Sequence, residues 1–186
     1  MSQEILKLAW DIEQSQVKLC GITIIIIPEN LAPDEVNAIV EEQDTSLVLG
    51  QPSKITISDD KPSWFLANKL ESQELLEPGS VILRDGKTKK LHAIVHDLDC
   101  EPTWKPEWIS QALDNIFSIT NSYSINTLQL PVLGAQHGKF KLEEFLALLH
   151  DKIKTYHGPL EKIWLILHRK DCPQALSYLK EIDKQE

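Results

Sequence analysis

Apolar residues recur along this chain with two periods, and the two alternate from one end to the other. Ile5, Leu8, Ala9 and Ile12 fit a short amphipathic helix. Val17 to Ile27 is β-branched and apolar, so it reads as a buried strand or hairpin that Pro28 stops. Leu31 to Glu42 mixes Pro33, the acidic pair Asp34–Glu35 and an apolar VNAIV core, and Ser46 to Leu49 reads as a brief strand. Gln51 to Lys61 is polar and reads as loop or edge strand. A helix opening at Pro62 and Ser63 carries Trp64, Phe65, Leu66, Leu70 and Leu75. Val81 to Leu83 and Leu91 to Leu98 are strands about an Asp85–Gly86 turn. A helix from Pro106 turns Ile109, Leu113, Ile116 and Phe117 inward. Thr127 to Leu133 is a strand, and a helix from near Lys141 groups Leu142, Phe145, Leu146 and Leu149 on one face. Ile163 to Leu167 is the last strand and Cys172 to Ile182 the last helix. Such alternation predicts a sheet with helices on both faces.

The 186 residues suffice for one large domain with a buried core, and no linker divides them, so residues 1–186 read as a single domain. Apolar residues make up 42% and charged residues 25%, as in an ordinary soluble globular protein. A formal charge of −9 disfavours unspecific binding to nucleic acid or anionic lipid. The longest apolar run, Ile22 to Ile27, is too short for a bilayer and is broken by Thr23. The start, MSQEILKLAW, lacks the basic and apolar regions of a signal peptide. Cys20, Cys100 and Cys172 are few, odd in number and widely spaced, which fits reduced thiols in a cytoplasmic protein.

Chemistry concentrates in TLQLPVLGAQHGKFKLEEF, residues 127–145. Here a strand runs into a loop with two glycines, Gly134 and Gly138, and then into a helix. Backbone N–H groups exposed by such a loop, with the positive end of a helix dipole, suit a phosphate. The competing reading is a connection that needs glycine only for its backbone angles.

Three segments resemble one family. EVNAIVEEQDTSL, Glu35 to Leu47, resembles the "VDAIVNAANTSL" segment of macro domains, the modules that bind ADP-ribose. LHAIVHDLD, Leu91 to Asp99, resembles their "IHAV" strand. LPVLGAQHG, Leu130 to Gly138, resembles their second ligand loop, often "LPLLGTGHG" or "FPAISTG". Order, spacing and element type agree from about Pro28 onward. The resemblance implies an α/β fold of three layers, α/β/α, with a mixed central sheet of about six strands.

The resemblance also implies a set of ligand-binding residues, and the sequence departs from several of them. The family's adenine-contacting Asp would fall at Glu29, one methylene longer. The hydrolytic Asn that ends "NAAN" would fall at Asp44. The family's "GGGGV" loop is replaced by VLGQPSKI, leaving Gly50 alone. In the second loop Gly134, Ala135, Gln136, His137 and Gly138 would face the ligand, with Gln136 in place of a glycine. Bulkier residues limit close backbone approach to a pyrophosphate. A carboxylate at Asp44 beside an anionic ligand would repel it by about 4 kcal/mol at 4 Å and an effective dielectric near 20. Asp44 could instead accept hydrogen bonds from ribose hydroxyls. Lys54 and Lys139 are candidate compensating charges, and both acids could equally be solvated loop residues.

Other chemistry is less favoured. His92 and His96 lie four apart in a strand, roughly 13 Å, and cannot share one metal. His92 reads as the family's packed strand histidine. His96, Asp97, Asp99 and Cys100 gather at a strand end, but no orienting partner completes a Cys–His nucleophile. Trp104 and Trp108 flank Pro106 and read as helix-start anchors, with stacking on a base as the alternative. The sequence thus predicts a macro-like module that binds a nucleotide or ADP-ribose-like ligand without catalysis, metal or cofactor. The alternatives are an ADP-ribosyl hydrolase, and an assembly protein on the same fold with no nucleotide ligand.

Overall fold

The computed structural model describes residues 10–33, 35–47, 49 and 76–184. They build a sheet of seven strands in the order β1-β2-β7-β6-β3-β5-β4. The strands are β1 (Gln16–Leu19), β2 (Ile22–Pro28), β3 (Ala38–Asp44), β4 (Val81–Arg84), β5 (Lys89–His96), β6 (Thr127–Pro131) and β7 (Lys162–Leu167). β2, β7, β6, β3 and β5 run parallel, and β1 and β4 close the two edges antiparallel to their neighbours. The sheet is mixed, as expected, with one strand more than six.

Among the described residues three α-helices pack on this sheet: α1 (Pro106–Ser122), α2 (Leu142–Thr155) and α3 (Cys172–Asp183). α1 lies against β5 and β4, α3 against β1 and β2, and α2 between α1 and α3. The expected helices at Ile5–Ile12 and Pro62–Leu75 fall wholly or mainly outside the described residues, and Ile12 itself is an exposed turn residue.

Local sequence explains these elements. β2 reads ITIIIIP and is buried on both faces, as a strand inside a parallel sheet must be. Ile24 and Ile26 join the core beneath the helices, while Ile25 and Ile27 are buried on the opposite side. Cys20 and Gly21, both at positive φ, make the two-residue turn from β1 to β2. Proline opens α1 at a position where a helix has no use for the amide hydrogen. Glu143 and Glu144 in the first turn of α2, with Lys152 and Lys154 in its last, complement the helix dipole. Ile94, Leu130, Leu165 and Leu167 are buried, as the periodicity predicts.

Two boundaries differ from expectation. Ser46, Leu47 and Leu49 lie in turns and bends, and the strand there is the preceding segment, Ala38–Asp44. Leu98 is not in β5: the Asp97 amide donates to Thr103 O, the chain turns, and Leu98 is exposed.

Candidate functional site

The parallel strands β2, β6 and β7 all deliver their C-terminal ends to one edge of the sheet, where open α/β sheets hold ligands. After β2 the chain makes a short 3-10 turn, Glu29–Leu31. After β6 comes the glycine loop, and after β7 the segment His168–Asp171 that leads into α3. These connections enclose an open cleft of about 510 Å³. Pro131, Val132, Leu142, Ile166 and Leu167 give it an apolar base and wall. Glu29, Gln136, His168, Lys170 and Asp171 supply polar groups at its rim, and Ala135 completes it. Glu29 Oε2 lies 3.2 Å from His168 Nδ1, and both side chains remain more than half exposed. Such a solvated pair adds little stability and stays available to a ligand.

The loop after β6 is partly anchored and partly open. Gly134 is buried at φ +79°, and its amide donates to Glu42 Oε2 at 2.7 Å. The Ala135 amide donates to Val132 O, and Gly134 O accepts the Phe140 amide. Ala135, Gln136 and His137 are exposed and Gly138 half-buried. Among the described residues, the amides of Gln136, His137 and Gly138 meet no hydrogen-bond acceptor. The positive end of α2 already carries Glu143 and Glu144, so an anion would rely on the loop amides rather than on the helix end.

No protein-family model matches the sequence, and no curated protein sequence matches it. Solved structures do match its shape. An Oceanobacillus iheyensis macrodomain with ADP superposes with a TM-score of 0.68 at 16% identity, covering 92% of this chain and 97% of the other. The macro domain of ganglioside induced differentiation associated protein 2 gives 0.58 at 16% identity, over 86% of this chain and 84% of that one. A Trypanosoma brucei macrodomain in complex with ADP-ribose gives 0.58 at 14% identity, over 86% and 68%. The chain has the macrodomain fold.

On this macrodomain fold the expected ligand residues divide. Glu29, Ala135 and Gln136 line the cleft. Gly134, His137 and Gly138 belong to the same loop but not to the cleft wall. Asp44 is 0% exposed. Its Oδ1 accepts the Ser46 amide at 2.7 Å and its Oδ2 the Leu49 amide at 2.6 Å. Its carboxylate is thus engaged in folding its own loop. Lys139 is exposed, and Lys54 lies outside the described residues.

The sequence does not pair two further groups, His96 at the end of β5 and Glu42 on β3. His96, also 0% exposed, places Nε2 2.5 Å from Glu42 Oε1. Glu42 thereby joins β3, β5 and the glycine loop from inside the protein. A signal for it was present in the sequence. Ala38, Val40 and Glu42 share one face of a strand, and a carboxylate on a core face needs partners. His168 at the cleft rim had no such signal, because its partner Glu29 is remote in sequence.

The remaining candidates are structural. His92 lies 3.3 Å from Glu41 without hydrogen-bond geometry, and burial lowers its pKa against the opposing pull of Glu41. The Cys100 thiol donates to Asp97 Oδ2 at 3.1 Å, which raises its pKa and keeps it protonated. Burial pushes the Cys172 thiol up to about 11. Trp104 packs on Phe140 with ring centres 5.4 Å apart, and Trp108 sits under Lys105. Among the described residues, no three His, Cys, Asp or Glu side chains are placed to hold a metal, and no helix is long and apolar enough to cross a membrane.

Proposed function

We propose that the cleft binds a nucleotide or ADP-ribose-like ligand and does not hydrolyse it. The observation that carries this reading is an apolar cleft lined by Gln136, the first of three successive loop residues, Gln136 to Gly138, whose amides are unengaged among the described residues. Glu29 and His168 offer an acceptor and a ring to the hydrogen-bonding edge of a base. The loop amides offer donors to a phosphate, and Lys170 supplies positive charge at the rim. The reading takes the chain as one domain acting in the cytoplasm. Calorimetric titration with ADP-ribose should give saturable 1:1 binding in the micromolar range, about 8 kcal/mol. Glu29→Ala should weaken it by roughly tenfold, the loss of one charge-assisted hydrogen bond. Absence of binding by ADP-ribose, ADP and AMP alike would overturn the proposal.

Catalysis is expected to be negligible. Orienting a water over the distal ribose needs a polar group open to the ligand and close backbone approach. Asp44 holds Ser46 and Leu49 instead. Incubated with an ADP-ribosylated protein, the wild type should release no ADP-ribose above a buffer control. Rapid release that disappears in Asp44→Ala would make the chain a hydrolase.

A further inference from the structure

Glu42 is one of the few buried charged or polar side chains among the described residues. Its side chain is 3% exposed, in a strand whose neighbours Ala38 and Val40 are core. A buried carboxylate is costly unless donors surround it. Two donors do. The Gly134 amide, 92 residues away, reaches Oε2 at 2.7 Å, and His96 Nε2, 54 residues away, reaches Oε1 at 2.5 Å. Where Glu42 is ionised and His96 neutral, the carboxylate only accepts, so the hydrogen sits on Nε2 and leaves Nδ1 a bare acceptor. Among the described residues Nδ1 is buried with no hydrogen-bond partner, and an unpartnered acceptor there is less demanding than an unpartnered N–H.

The anchor lies at one residue of the loop, and the unengaged amides lie two to four residues beyond it. Gly134 O accepts the Phe140 amide, so the same residue closes the loop from both sides. His137, on the far side of the loop, sets its ring edge-on to His96 at 6.0 Å between centres. The pairing of β3 with β5 shifts register between Gln43 and Asp44, next to where Glu42 and His96 meet. From these contacts we infer that Glu42 is a positioning residue. Held by His96, it fixes the Gly134 amide and so aims the amides of Gln136, His137 and Gly138 at the ligand. The inference rests on the binding function proposed above, but its structural half is testable without any ligand.

Two variants separate hydrogen bonding from space filling. Glu42→Met matches the shape and accepts nothing. Glu42→Gln keeps an acceptor for Gly134 while presenting an NH₂ group to His96, which must then move its hydrogen to Nδ1. Hydrogen exchange and ¹⁵N imidazole shifts read the loop and the tautomer by NMR, and calorimetry reads ADP-ribose. In Glu42→Met the Gly134 amide should exchange at least 100-fold faster, and affinity should fall at least tenfold, even where the melting temperature is unchanged or higher. Glu42→Gln should keep affinity within about threefold of wild type and show the Nδ1–H tautomer. Affinity in Glu42→Met equal to that of wild type, or an unchanged Gly134 exchange rate, would overturn the inference. If Glu42→Met does not fold, the wild type decides. His96 must carry its hydrogen on Nε2, and Gly134 must be far better protected than Gln136 to Gly138. Equal protection or the opposite tautomer overturns it. A wild type that binds no ADP-ribose yet shows these exchange and tautomer results would sink the binding function and leave the anchor standing.

Discussion

Gly134→Val should destabilise the protein by about 2–5 kcal/mol, enough to lower the melting temperature by roughly 5–15 °C. Gly134 has φ +79°, a conformation in which a β-branched residue is strained. An added Cβ would also stand 2.5 Å from Ile109 Cδ1 and 3.1 Å from Phe140 Cβ. Ile109 is fully buried in α1 and has no open space to move into. From the sequence, this substitution looks like one that removes phosphate binding from an exposed loop at little cost to folding. Burial of Gly134 changes that expectation: binding and stability should fall together. A thermal scan by circular dichroism measures it. A variant melting within 2 °C of wild type would show that the loop tolerates a side chain at this point.

Asp44→Ala should cost about 2–4 kcal/mol, because it strands the amides of Ser46 and Leu49 that now donate to its two carboxylate oxygens. Asp44→Asn should cost less, since its carbonyl oxygen still serves one of them. Neither should tighten ADP-ribose binding. A carboxylate out in the cleft would repel an anionic ligand. This one is fully buried with both oxygens engaged. Urea titration reads the stability, and calorimetry reads the affinity. A large gain in ADP-ribose affinity for Asp44→Asn, tenfold or more, would mean that its charge reaches the ligand after all.

The parts of the fold that were legible are those where apolar pattern alone decides structure. Val17–Ile27, Thr127–Leu133 and Ile163–Leu167 have too much β-branched surface to stay outside a sheet, and the face of α1 repeats at Ile109, Leu113 and Ile116. β3 was missed for the opposite reason. Its second half, Glu41-Glu42-Gln43-Asp44, is polar, yet Glu42, Gln43 and Asp44 are buried. Local sequence could not show this, because the partners that make such burial tolerable come from other segments: His96 from β5 and the Gly134 amide from the loop after β6. The site followed the same rule. The glycine loop was readable from its composition. The pairing of Glu29 with His168, which only the neighbouring ends of β2 and β7 bring about, was not.

The adjacency of β2 and β7 has a consequence for how the chain reaches this state. Thr23 pairs with Lys162 and Pro28 with Leu167, so one long edge of the most apolar strand waits for a partner that lies some 139 residues downstream, the separation of Thr23 from Lys162. During synthesis β1 can cover the other edge early through its tight turn. The edge meant for β7 stays unpaired until Lys162–Leu167 has emerged. A stretch such as ITIIII, without charge or proline before Pro28, is the kind that stacks with copies of itself when left open. Loop closure over so long a separation is also slow. The arrangement that gathers three strand ends around one cleft therefore makes this a chain whose yield of native protein depends on the speed of its final folding step.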